Sequence, residues 1–129
     1  MEILSSRILL QPPDPDRSRR FYRDRLGLAV YREYGDPANP GLVFYLGTGL
    51  LEVSPHSDGW TPPTGVVLWL QVRNVAGEFA RLVAAGVRGL REPRPEPWGL
   101  VEAWIEDPDG VRIVLVEVPE DHPLRRDQR

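Results

Sequence analysis

The sequence contains neither cysteine nor lysine. Without thiols there are no disulfides, no zinc–thiolate sites and no cysteine nucleophile. All 16 basic residues are arginine, so no lysine is available for a Schiff base or for a phosphate-binding loop. Histidine is almost as scarce, with only His56 and His122. One falls in a proline-rich linker and the other in a charged tail, so both are expected to be exposed and inert. His56, four residues after Glu52, is the one a general-base reading would use. No apolar run approaches the ~20 residues of a transmembrane helix, and the N-terminal residues carry no signal-peptide pattern. A cytoplasmic protein without a membrane partner is expected. The net charge of −3, with no face interleaving arginine and aromatics, argues against nucleic acid as a partner. It favours a neutral or cationic small molecule slightly over an anionic one. Nucleophile elbow, phosphate loop and dinucleotide fingerprint are all missing.

What is present is an ordinary globular composition, 41% hydrophobic and 27% charged over 129 residues, long enough for one domain with a real core. The most informative stretch is Ile105 to Val118. An apolar strand runs into Asp107-Pro108-Asp109-Gly110, and a second apolar strand follows at once. The Asp107 side chain can hydrogen-bond forward, Pro108 fixes its own φ, and Gly110 tolerates positive φ, so these four residues predict a tight turn. Residues 111–118 are dense in Val, Ile and Leu, the pattern of a strand buried on both faces at the centre of a sheet.

Upstream, residues 3–11 read as a strand stopped by Pro12-Pro13. Asp14-Pro15 predicts a helix N-cap with proline in the first turn, where its missing N–H costs nothing. That helix extends to about Leu26, with Phe21, Tyr22 and Leu26 as its apolar stripe and Gly27 beyond its end. Leu28–Tyr34 is a predicted strand, and Leu42–Leu46 with Leu50–Ser54 a predicted hairpin. Residues 55–64 read as a linker. Gly65–Val72 is then a strand and Asn74 a helix cap. Val75, Phe79, Leu82 and Val83 share one helical face, and Gly86 ends the helix. Val87–Arg91 is expected to begin another strand, Arg94–Trp98 to be a proline-rich loop, and Leu100–Glu106 with Val111–Val118 to form the closing hairpin. The charged residues from Pro119 onward are expected to be poorly ordered or to clasp a partner.

The two halves share an order, strand–helix–strand–strand–strand. Arg7 lies seven residues before the cap Asp14, as Val67 lies seven before the cap Asn74. This predicts an α+β fold of two βαβββ modules, about residues 3–54 and 65–118, with a polar tail at 119–129. Each helix would pack on one face of its sheet. The other faces would form a curved, eight-stranded mixed surface around a central cavity.

That arrangement, and the residues that punctuate it, resemble the vicinal oxygen chelate superfamily, which includes glyoxalase I, extradiol dioxygenases and bleomycin-resistance proteins. The carriers are Asp14 to Ser18 followed by Phe21-Tyr22 and Leu26-Gly27, then Pro97-Trp98-Gly99, then Asp107-Pro108-Asp109-Gly110. The resemblance covers roughly residues 3–118. It implies that metal-using relatives hold a divalent ion with a histidine on the first strand of each half and a glutamate on the last. The corresponding positions here are Arg7, Glu52, Val67 and Val114. Arginine is always protonated and valine has no donor atom, so no metal and no cofactor are expected. The resemblance also implies a homodimer.

Five residues are the candidates for ligand binding. Strand parity places Arg7 and Glu52 on faces that would line the same cavity. They form either a mutual ion pair where relatives hold the ion, or a recognition pair for a cationic or acidic ligand group. Trp69 and Gln71 share a strand face with Val67, and Trp104 joins them if its side faces the cavity. They make either an aromatic wall for a planar ligand or plain filling. Glu102 shares the side of Trp104, whereas Glu117 points away from Val114 and reads as structural. Trp98 is expected at a rim, and Trp60 as a lid or dimer contact. The expected function is metal-independent binding of a small aromatic or cationic molecule, similar to antibiotic-sequestering resistance proteins. The alternative is a glyoxalase-type lyase, isomerase or dioxygenase, working through an unrecognised metal site or through Glu52 as acid–base.

Overall fold

The computed structural model describes residues 1–57 and 64–125. The chain divides into two compact units, Met1–Pro62 and Pro63–Arg129. Within the first, the elements are β1 (Ile8–Leu10), α1 (Pro15–Arg20) continued by a π-helical turn (Phe21–Arg25), β2 (Val30–Tyr34), β3 (Gly41–Leu46) and β4 (Gly49–Val53). The second holds β5 (Val67–Gln71), α2 (Val75–Ala84), β6 (Arg88–Pro95), β7 (Val101–Glu106) and β8 (Arg112–Glu117). Each unit is a four-stranded mixed sheet, ordered β1-β4-β3-β2 and β5-β8-β7-β6. First and last strands pair in parallel, and the remaining pairs are antiparallel. The βαβββ repeat is therefore present in both halves.

In the first unit the Asp14 carboxylate caps α1 by accepting from the Arg17 N–H at 3.1 Å, with proline following as expected. The helix runs to its predicted end at Leu26, but its last turn is π-helical. After Arg20 it widens, the Leu26 N–H bonding five residues back to the Phe21 carbonyl, and Gly27 closes it at φ 75°. The widening lets Phe21 and Tyr22 both enter the core, ring edge to ring face at 4.9 Å. They pack with the sheet face that carries Leu10, Leu42, Phe44, Leu51 and Val53, all buried. Burial of this face drives the fold of the unit.

In the second unit α2 starts from a double cap. The Asn74 side chain accepts from the Gly77 N–H at 3.0 Å, and the Glu117 carboxylate accepts from the Val75 N–H at 3.0 Å. Glu117 thus points to the helix side of the sheet, as its parity predicts. Of the predicted helical stripe, Val75 and Leu82 are buried, while Val83 is 44% exposed. β8 is central, and Ile113, Val114, Leu115 and Val116 are all buried, matching the continuous apolar run. The turn before it is built as read. Asp107 Oδ1 accepts from the N–H groups of Asp109 and Val111 at 2.8 and 2.9 Å, and Gly110 has φ 85°.

One expectation is corrected here. The segment expected to become a loop at Arg94 instead continues as strand to Pro95. β6 is an edge strand with register shifts, and prolines are tolerated there because their missing N–H leaves no ladder bond unmade. In the charged segment after Val118, residues 119–125 form hydrogen-bonded turns. They turn back, with the Arg125 guanidinium donating to the Val118 carbonyl at 2.6 Å and the His122 N–H to the Pro119 carbonyl at 3.0 Å. No helix among the described residues is long and apolar enough to cross a membrane.

Candidate functional site

Opposite the helix, each sheet presents a second face, and all five candidate residues lie on one or other of these. In the first unit Leu9 pairs with Glu52, and Glu52 with Val43. Arg7, two residues before Leu9 and on its side, reaches Glu52 with Nη1 donating to Oε1 at 2.9 Å. The other carboxylate oxygen accepts a short hydrogen bond from the Tyr34 hydroxyl. The Arg32 guanidinium lies 5.5 Å from the centre of the Tyr34 ring, within cation–π range. Glu52 thus has both oxygens committed, one to a cation and one to a phenol. Its side chain is 15% exposed and that of Arg7 37%. Burial and the hydrogen bond to Glu52 push the Tyr34 hydroxyl up to about 12.

Tyr34 was not among the residues singled out from sequence. Its signal is the residue opposite it, for Tyr34 pairs with Gly41 and the phenol end of its ring lies against that glycine. A Cβ at position 41 would collide with the ring carbon that bears the hydroxyl. Only a residue without a side chain lets the ring cross the neighbouring strand to reach Glu52 on the next.

The second unit has its own rows of paired residues. Trp69 pairs with Val114, which pairs with Trp104, which pairs with Arg91. In the next row are Gln71, Val116, Glu102 and Arg94. Trp69 is 48% exposed; Trp104 and Gln71 are half-buried. Trp104 and Val67 pack against a core of Leu100, Val114, Val116 and Val118. Two strand spacings separate the tryptophans, about 9.6 Å at backbone level, with buried Val114 as the floor between them. Glu102 is buried on this face and accepts from the Trp98 indole N–H at 2.8 Å. Trp98 is otherwise mostly exposed. His122 is fixed beside it, its ring 3.3 Å from the Trp98 carbonyl. His56 is exposed. Trp60 lies outside the described residues.

The two units place the corresponding positions identically. Leu9 faces Glu52 across β1 and β4, and Trp69 faces Val114 across β5 and β8, so Arg7 and Val67 stand two residues earlier in each case. At the four positions that the resemblance assigns to metal ligands there is a guanidinium, a carboxylate held by two donors, and two aliphatic side chains. That donor set does not fit a divalent ion. Among the described residues no cluster of three or more histidine, aspartate or glutamate side chains is arranged to hold one elsewhere.

Paired βαβββ units, each helix on one side of a mixed sheet and polar or aromatic side chains on the other, define the α+β class built on this duplicated module. Residues 5–115 match the model of the Glyoxalase/Bleomycin resistance protein/Dioxygenase superfamily. The chain belongs to that superfamily. It is 27% identical over 119 residues to a probable lactoylglutathione lyase of Synechocystis sp., covering 84% of this chain and 91% of the relative. Among solved structures, it is similar in fold to TnmS3, an antibiotic binding protein from a Streptomyces species. That match has TM-score 0.74 and 21% identity, covering 92% of this chain and 98% of the other. A glyoxalase-related enzyme from Fulvimarina pelagi gives TM-score 0.72 at 24% identity, covering 92% of this chain and 90% of that one.

Proposed function

We propose that this protein binds a small aromatic or cationic molecule without a metal ion, as a sequestering protein and not as a catalyst. The observation that carries the reading is the row Trp69–Val114–Trp104, two indoles flanking an apolar floor on a sheet face with no helix of its own unit over it. Aromatic walls with few polar groups are what planar ligands need, and Gln71 supplies a donor and an acceptor one row away. In the first unit Arg7 and Glu52 are the charged recognition residues. With Glu52 already neutralised by Arg7, the Arg7–Glu52–Tyr34–Arg32 group has a net positive charge, and a ligand acid would meet Arg7 while a ligand donor would compete for Glu52. The antibiotic-binding activity stated for TnmS3 supports this class of function. The test is tryptophan fluorescence with a panel of planar antibiotics. Saturable quenching by a member of the panel, lost in Trp69→Ala, is expected; no saturable change with any of them would overturn the reading.

A second reading has one observation in its favour, the likeness to a probable lactoylglutathione lyase. It asks for a metal at residues whose chemistry does not suit one, or for acid–base work by a carboxylate already held by two donors. Elemental analysis of purified protein separates the readings. Stoichiometric zinc, nickel, iron or manganese that survives dialysis would favour the lyase.

The homodimer and the cytoplasmic location are further parts of the proposal. Leu9 and Tyr45, each about half exposed on the Glu52 side of their sheet, support an apolar contact there. Sedimentation equilibrium giving twice the 14.6 kDa chain mass is the expected result.

A further inference from the structure

The second unit holds two buried carboxylates whose surroundings differ. Glu96, with its side chain 6% exposed, takes two guanidinium groups: Arg91 Nη2 at 2.6 Å and Arg94 Nε at 3.2 Å. Glu102 is also buried, at 6% for the residue, yet among the described residues no arginine pairs with its carboxylate. Arg94 stands opposite Glu102 across β6 and β7 but turns to Glu96. Arg91 reaches the Glu102 main-chain carbonyl at 2.9 Å and not its carboxylate. Among the described residues the Glu102 carboxylate receives one hydrogen bond, from the neutral Trp98 indole. A carboxylate removed from water without a countercharge is costly. Here the two arginines within reach are diverted, and the group is left facing the sheet side that also carries Trp69, Gln71 and Trp104.

We propose that Glu102 is the cation-recognition residue of the Trp69–Trp104 wall, and that the ligand is a planar aromatic molecule bearing a protonated amine or amidine. Glu102 and Trp104 are two residues apart on one strand, so their side chains rise about 7 Å apart along β7. A ring over Val114 with an amine one or two bonds beyond its edge spans that distance. The ammonium takes the carboxylate oxygen that Trp98 leaves open, and Gln71 in the same row accepts a remaining N–H. Trp98 holds the carboxylate in place until the cation arrives. This inference rests on the wall reading above and names the charge that the ligand must carry.

The test uses three probes with one ring system: 2-naphthylmethylamine, 2-naphthylmethanol and 2-naphthoate, each titrated into the full chain. Tryptophan fluorescence is followed together with the Trp98 indole N–H resonance. The amine is expected to bind about tenfold more tightly than the alcohol, and the carboxylate more weakly than either, with the Trp98 resonance moving only for the amine. In Glu102→Gln, which keeps an acceptor for Trp98, the amine should lose its advantage while the alcohol binds as before. Glu78→Gln, a matched change on the exposed side of α2 away from Glu102, should retain the preference for the amine and serves as the folded control. Binding of all three probes without preference, or a preference that survives in Glu102→Gln, overturns this inference and leaves the wall reading standing. No saturable binding by any probe overturns both.

Discussion

The Tyr34 ring lies across Gly41 on the adjacent strand and delivers its hydroxyl to Glu52 on the strand beyond. The contact links three strands of the first sheet through one side chain, and it depends on the absence of a Cβ at position 41. Gly41→Ala should therefore displace the ring and destabilise the protein by about 1–3 kcal/mol, the range for overpacking a tight site. Urea denaturation checks this. The same substitution made in Tyr34→Ala should cost far less, because the ring that collides is gone. Equal costs in the two backgrounds would mean that the ring is not the obstacle.

Tyr34 also gives the first unit an alkaline limit. Burial, and after it the hydrogen bond to Glu52, raises the hydroxyl from its ordinary value of 10.0 to about 12 in the folded chain. Between these values the folded state holds a proton that the unfolded state has lost, so stability falls as pH rises. The contribution is whole below about pH 10 and is lost through about pH 12. Thermal melts across that window should show a declining midpoint in the wild type and a flatter profile in Tyr34→Phe. Glu52→Gln should lower the Tyr34 titration seen by ultraviolet difference absorbance, without returning it fully to 10.0, since burial persists.

The Arg7–Glu52 pair is open enough to water to be a modest stabiliser. With 37% of the Arg7 side chain exposed, a double-mutant cycle over Arg7→Ala and Glu52→Ala should give a coupling of about 0.2–1 kcal/mol. A coupling several-fold larger would place the pair in a drier setting. A coupling in that range would fit the recognition role proposed for the pair above.

Glu117 makes the opposite case, a carboxylate with a structural task only. Its oxygen supplies the Val75 N–H at the start of α2, beside the Asn74 cap on Gly77. Glu117→Ala should cost about 1 kcal/mol in urea denaturation, as the loss of a helix cap does, and leave naphthylmethylamine binding unchanged. A binding defect of several-fold in a folded variant would contradict the side assignment.

Parity and punctuation made much of this legible in sequence. Alternation along β4 and β8 placed Glu52 and Val114 on the open faces, because a period of two allows only two sides. The cap and turn residues Asp14, Asn74 and Asp107 do locally what their side chains dictate. What sequence did not give are contacts set by neighbours across strands. Tyr34 reaches Glu52 only because β2 and β3 bring Gly41 opposite it. Pro95 reads as a loop residue until the strand order makes β6 an edge. The isolation of Glu102 arises from a competition, with Glu96 drawing off Arg91 and Arg94, and no spacing rule encodes the outcome of such a competition.

The two indoles of the wall should contribute unequally to binding. Trp69 is 48% exposed, whereas Trp104 packs against the Leu100–Val114–Val116–Val118 cluster. Trp69→Ala therefore removes a ligand surface with little loss of core, and should weaken planar-ligand binding about tenfold or more while shifting the unfolding midpoint only slightly. Trp104→Ala removes a ligand surface and core packing together, so it should weaken binding and also destabilise by about 2–4 kcal/mol, toward the lower part of the range for large core truncations because the residue is only half-buried. Calorimetric titration alongside urea denaturation measures both quantities on the same preparations. If Trp69→Ala destabilised as strongly as Trp104→Ala while binding stayed intact, the tryptophans would be filling and not a wall.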